Sequence, residues 1–197
     1  MKAKLYLSLV LLFALSFSLQ AQRFADDILL HECDSEYRIE PQISVADNGW
    51  IYVMMNKYSE SSAETRIYRS TDGGVTFQQI MYQVIPAGNT QGGRDFVVTG
   101  NSESNIKIWY VYADNNTATG NANVYLMKMD ADGSNGTTAY SYSVDQTVNH
   151  DVAISTNARS PHDTWLPFTI GFAASSNYND TGYIDYVFSI DGGATFN

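Results

Sequence analysis

Runs of four to eight β-forming residues follow one another along the chain, each ending in a cluster of Asp, Asn, Gly or Ser. Gln42-Ile43-Ser44-Val45 stops at Asp47-Asn48, Asp95-Phe96-Val97-Val98 at Gly100-Asn101, and Asp151-Val152-Ala153-Ile154 at Asn157. After each comes a second apolar run, a loop rich in Ser, Asn, Thr and Gly, a third run and an Asp-Gly turn. A fourth run then follows in two cases, at Phe77 to Ile85 and Thr138 to Val144. No segment holds a helical apolar period, so the pattern predicts four-stranded antiparallel meanders and almost no helix.

The pattern repeats. Ser70-Thr71-Asp72-Gly73-Gly74-Val75-Thr76-Phe77 returns 119 residues later as Ser189-Ile190-Asp191-Gly192-Gly193-Ala194-Thr195-Phe196. The same offset carries Ile51 onto Ile170, Val53 onto Phe172 and Ile67 onto Tyr186. Between the two copies, Trp109 to Tyr112 falls on Tyr52 to Met55 at offset 57, and Tyr125 to Asp130 on Ile67 to Asp72 at offset 58. A unit of about 55 to 60 residues therefore occurs three times. A four-stranded unit of this length, repeated, is a propeller blade; solenoid repeats are shorter, and a sandwich does not repeat one turn at constant offset. The expected fold is all-β, a partial β-propeller of about three four-stranded antiparallel blades. Residues 38–93, 94–149 and 150–197 form the units, after a lead-in at 22–37. The third unit reaches Asn197 just past its Asp-Gly turn, without a fourth strand, and propellers close at roughly 4 to 8 blades. The expectation is thus the front part of a longer reading frame, with residues 24–34 as a candidate outer strand of a closing blade.

Composition narrows the function. The 197 residues carry a formal net charge of -10 and no local cluster of Lys or Arg, a balance that repels a phosphate backbone, so nucleic acid is not an expected partner. With 44% hydrophobic and 16% charged residues, the chain has enough apolar surface for a core. A single cysteine, Cys33, excludes an internal disulfide and a cysteine-built zinc site; it reads as a buried apolar residue or an exposed thiol. Lys2 and Lys4, the largely apolar run Leu5 to Leu19 and the small residue Ala21 read as a secretory signal peptide over 1–21. The chain turns polar at Gln22, Arg23 and Asp26, and no later segment is apolar enough to span a bilayer. The expected product is exported and acidic, without a membrane span or cofactor, at an extracellular, periplasmic or cell-surface location.

The octapeptides resemble a known repeat. Ser70, Asp72, Gly74, Thr76 and Phe77, and again Ser189, Asp191, Gly193, Thr195 and Phe196, are similar to the Asp-box, or bacterial neuraminidase repeat, of sialidases and other secreted propellers. The resemblance covers residues 38–197 through the repeats that the boxes organise. It implies the sialidase-like superfamily, with the boxes on the hairpin between third and fourth strands, on the face opposite the active site. Asp72 and Asp191 are then structural, and turn chemistry gives the same reading: the carboxylate accepts backbone N–H groups and Gly permits positive φ. The middle copy, Asp130-Ala131-Asp132-Gly133-Ser134-Asn135-Gly136, is degenerate. Its two carboxylates suggest either a plain turn or a calcium loop, but Gly does not fall sixth and no Glu falls twelfth, so no metal is expected.

If the Asp-Gly turns are at the bottom of the blades, the first strands start at the top beside the channel. Glu40-Pro41-Gln42, Gly93-Arg94-Asp95 and Asn149-His150-Asp151 then recur at one mouth, to which Arg38, Glu40, Arg94, Asp95, His150 and Asp151 bring charge. Tyr58, Asn115, Asn116 and Tyr178 join them from the upper loops. Asp95 and Asp151 are candidates for a paired-carboxylate catalyst; equally, they can anchor inner strands to neighbouring blades. Arg38-Ile39-Glu40-Pro41 resembles the Arg-Ile-Pro motif of sialidases, which implies a carboxylate clamp at Arg38, though Glu40 interrupts it and three converging arginines cannot be assigned. The expected function is glycan or protein binding at the channel mouth, with an extracellular glycan or glycoprotein as the partner. The alternative is a glycoside hydrolase of exo-sialidase type.

Overall fold

Alternating side chains give each strand two faces, and the chain uses them to stack sheets. The computed structural model describes residues 28–30, 38–58, 63–85, 89–116, 118–144, 148–156, 170–178 and 181–197. The expected signal segment at 1–21, most of the lead-in with Cys33, and most of the candidate strand at 24–34 lie outside them. Residues 28–30 carry no strand.

The first sheet is β1 (Arg38–Val45), β2 (Ile51–Tyr58), β3 (Ala63–Ser70) and β4 (Gln78–Ile85), in that order and antiparallel throughout. The second repeats the plan with β5 (Asn89–Thr99), β6 (Lys107–Asn116), β7 (Asn121–Asp130) and β8 (Thr137–Val144). The third has β9 (Val148–Thr156), β10 (Ile170–Tyr178) and β11 (Thr181–Ser189), with β10 central. Asn197 exchanges two backbone hydrogen bonds with Phe188 past the last turn. The protein is thus an all-β, partial β-propeller, without helix among the described residues. β5 and β9 start at Asn89 and Val148, a few residues ahead of the unit starts at 94 and 150 suggested by the repeat. The repeat extends to backbone irregularity. A bulge interrupts β3–β4 pairing at Ile67/Tyr68, and another interrupts β7–β8 pairing at Leu126/Met127, one residue beyond the pair that the offset of 58 assigns.

The middle sheet has no solvent face. On β6, Ile108, Tyr110 and Tyr112 turn toward the first sheet, where they join Tyr52, Met54, Ile67, Phe96 and Met129. Trp109, Val111 and Ala113 turn toward the third sheet and meet Val152, Ile154, Ile170 and Phe172. Two-sided burial is why Ile108 to Val111 is an unbroken apolar run. Each fully buried Ile, Leu or Phe contributes about 1.5–3 kcal/mol. Among the described residues, the outer faces of the end sheets lack such cover. Ile43 and Val45 on the first and Ile184 and Tyr186 on the third are exposed.

Inner strands β1, β5 and β9 run side by side in the same direction. Gln42 Nε2 donates to the Arg94 carbonyl at 3.0 Å, Val98 N to Ser44 Oγ at 3.0 Å, and Ile154 N to Asp95 Oδ2 at 2.8 Å. The β1–β2 and β3–β4 turns share the lower end, and the starts of β1, β5 and β9 define the upper one.

Candidate functional site

The lower end is built from turns that satisfy themselves. Ser70 Oγ donates to Asp72 Oδ1 at 2.7 Å and accepts from Gly74 N at 2.8 Å. Val75 N and Thr76 N donate to Asp72 Oδ1, and Thr76 Oγ1 donates to Oδ2 at 2.6 Å. Ser189, Asp191, Gly193, Ala194 and Thr195 repeat every one of these bonds within 0.1 Å. The Thr76 hydroxyl and N–H, with Ser70, hold the Asp72 carboxyl well below the usual carboxylate range; Ser189 and then Thr195 do the same for Asp191. Phe196 packs against Tyr140 with ring centroids 5.3 Å apart, pinning the third sheet to the second.

In the degenerate middle turn the two carboxylates go to different partners. Asp130 takes the Asn135 amide and the Lys107 ammonium, and Asp132 takes the Ser134 N–H and hydroxyl. Among the described residues, no group of three or more His, Cys, Asp and Glu is arranged to hold a metal ion.

The upper end separates residues that the sequence reading groups at one mouth. Arg94 is only 4% exposed and points into the junction between the first and second sheets, where Nη1 contacts Thr65 Oγ1. Asp95, the next residue on β5, faces the opposite way, toward the third sheet. Its Oδ1 accepts its own strand's Phe96 N and its Oδ2 accepts Ile154 N, both at 2.8 Å. Burial raises the Asp95 carboxyl and the two N–H donors oppose the rise. Asp95 is thus a tie between inner strands, and period-2 alternation keeps Arg94 and Asp95 from a common surface. Glu40 is exposed at the start of β1. Asn115 is buried, and Asn116 Oδ1 closes the β6–β7 loop by accepting Ala118 N and Thr119 N. The backbone puts Arg38 and Tyr58 at the upper end of the first sheet, opposite each other in register. His150 and Asp151 lie near the start of β9, and Tyr178 at the end of β10. Their side chains, with that of Arg38, lie outside the described set.

A polar layer at this upper junction is absent from the sequence reading. Asn56, Thr65 and Gln83 form one cross-strand row of the first sheet; Arg94, Tyr112 and Tyr125 form one of the second. Thr65 Oγ1 donates to Asn56 Oδ1 at 2.9 Å, and the Tyr110 hydroxyl donates to Gln83 Oε1 at 3.0 Å. Tyr110, Tyr112 and Tyr125 stack in sequence at 5.2 and 5.0 Å. Burial pushes the Tyr110 hydroxyl up to about 12, against the pull of Arg94. A usable signal existed: Asn56 and Thr65 are polar at positions whose two-residue neighbours, Met54 and Ile67, belong to the core.

Neither a known family model nor a curated protein sequence matches this chain. Solved structures do match in fold. The α-L-arabinofuranosidase of Fusarium graminearum in complex with an iminosugar inhibitor aligns with a TM-score of 0.50 and 14% identity, over 80% of this chain and 48% of that one. The GH93 α-L-arabinofuranosidase of the same organism with arabinobiose aligns with a TM-score of 0.50 and 12% identity, over 79% and 47%. This chain therefore spans about half the length of the chain in either structure, and at this identity the likeness is one of fold: a β-propeller-like arrangement of antiparallel sheets.

Proposed function

We propose that this chain is an exported, Asp-box propeller of sialidase-like type that binds an extracellular glycan at its upper end. The observation that carries this reading is the alignment of inner strands: the starts of β1, β5 and β9 stand side by side, opposite the self-satisfied Asp-Gly turns. In this reading Arg38, Glu40, His150 and Asp151 contact the ligand, and Arg94 and Asp95 support the strands that carry them.

Hydrolysis is the second reading, favoured by the name of the arabinofuranosidase whose structures share the fold. It pairs Asp95 with Asp151. Both Asp95 oxygens already accept backbone N–H groups, whereas a nucleophile or general acid must present an oxygen to the substrate, and this favours binding. Calorimetric titration with acidic and neutral oligosaccharides tests the proposal: saturable binding weakened by Glu40→Ala supports it, and no binding across the panel overturns it. Turnover of a fluorogenic sialoside or arabinofuranoside, abolished by Asp95→Asn, would instead establish the hydrolase. Export is tested by N-terminal sequencing of the secreted product, expected to begin at Gln22.

A further inference from the structure

The guanidinium of Arg94 is buried at the junction of two sheets. It makes no ion pair among the described residues, and its Nε and Nη2 have no hydrogen-bond partner. A buried charge in that condition is strongly destabilising unless an anion accompanies it. Asn56, fully buried on β2, leaves its Nδ2 donor unpartnered as well. Both groups flank one hydroxyl: Arg94 Nη1 contacts Thr65 Oγ1, which in turn donates to Asn56 Oδ1 at 2.9 Å. Donation by Thr65 leaves the Asn56 amide as a second buried N–H donor beside the cation. Three unused N–H-bearing nitrogens and one uncompensated positive charge thus meet at the junction of two sheets.

We propose that this junction is a binding site for a small inorganic monoanion, with chloride as the occupant. The chemistry selects the class. A small anion answers both the missing charge and the missing acceptors, and donors sealed from solvent leave no room for a sugar or a phosphate ester. Water can accept the N–H groups but leaves the guanidinium charge uncompensated. The anion locks β2 and β3 of the first sheet to β5 of the second, so its ligation is part of the stability of the sheet stack. This site is separate from the proposed glycan surface and does not depend on it.

The test is thermal unfolding of the purified chain at constant ionic strength, with sodium gluconate replaced stepwise by sodium chloride. Saturable stabilisation is expected, roughly 5 °C or more in Tm at a hundred-fold excess over Kd, reproduced by bromide. Asn56→Asp puts a carboxylate where the anion sits, and is expected to be as stable in gluconate as the parent is in chloride, and insensitive to chloride. Arg94→Met is expected to lose the chloride response. Equal Tm in gluconate and chloride overturns the proposal, as does a response to acetate without one to chloride. A chloride response unchanged in Asn56→Asp overturns it too. So does a chloride-insensitive parent destabilised by Asp114→Asn, which would make Asp114, whose Oδ1 is also buried and unpartnered, the counter-charge.

Discussion

Gly193 of the third sheet's turn lies against the indole of Trp109 in the second sheet: a Cβ on Gly193 would stand 2.3 Å from the ring carbon Cη2. Trp109 cannot retreat, because it is fully buried and its Nε1 donates to Thr99 Oγ1 at 3.1 Å. The Asp-Gly turn is therefore a packing element between sheets as well as a chain reversal.

Gly193→Ala meets both this ring and a positive φ of 80°, and is expected to cost about 2–4 kcal/mol. Gly73→Ala isolates the backbone component. Its φ is 74° but nothing lies within 4 Å of the added Cβ, so about 1–2 kcal/mol is expected. Urea unfolding of the two variants checks the difference; equal losses would remove the packing role.

Ser70 is buried and serves the turn twice, as donor to Asp72 and acceptor from Gly74 N. Ser70→Ala is expected to cost about 1–3 kcal/mol, because the Gly74 N–H loses its acceptor. The acid side reports the carboxylates. Asp72 and Asp191 are held below their unfolded value, so their contribution is present above about pH 4 and is lost as pH falls through the lower folded value. Relative to the parent, Asp72→Asn with Asp191→Asn should start less stable at neutral pH and decline less below about pH 4. Unfolding curves from pH 2 to 7 measure this, and parallel declines would contradict it.

The end faces predict solution behaviour. Ile43 is 70% exposed and Ile184 77%, each on a sheet face that in the interior of the stack is covered by the next sheet. The purified chain is expected to self-associate at micromolar concentration. Ile43→Lys with Ile184→Lys should shift sedimentation toward the monomer with little change in Tm, since neither side chain is in the core. A parent that sediments as a monomer at high concentration would show these faces to be inert.

The fold was legible because two signals agreed: turn residues recurring at a fixed spacing, and β-forming runs between them with no helical period. The turn chemistry of the octapeptides was legible in their residue types: Asp72 and Asp191 accept N–H groups of their own turns. The upper end was harder. Chain direction places Arg94 and Asp95 at one height, but direction toward a neighbouring sheet depends on which face each strand presents, and that follows from pairing register. Register likewise brings Asn56, Thr65 and Arg94 together from three strands; the local pattern marks Asn56 and Thr65 as polar on a core face but does not point to their meeting with Arg94.

Asp95 gives the sharpest test of that geometry. Its carboxylate joins β5 to β9 through Ile154 N while also accepting Phe96 N, and Asn can accept only one of these bonds through its amide oxygen. Asp95→Asn is therefore expected to destabilise the chain by about 1–3 kcal/mol. The pH dependence has the opposite sign to that of Asp72. Burial raises the Asp95 carboxyl, so the folded chain holds this proton more tightly than the unfolded one. That contribution is full below the unfolded value near about pH 4 and fades as pH rises through the raised folded value. The stability gap between parent and Asp95→Asn should accordingly narrow from pH 4 to pH 7. Urea titrations at the two pH values measure the gap. A gap that widens would mean that the two N–H donors outweigh burial, and that Asp95 is charged in the fold at lower pH than its surroundings imply.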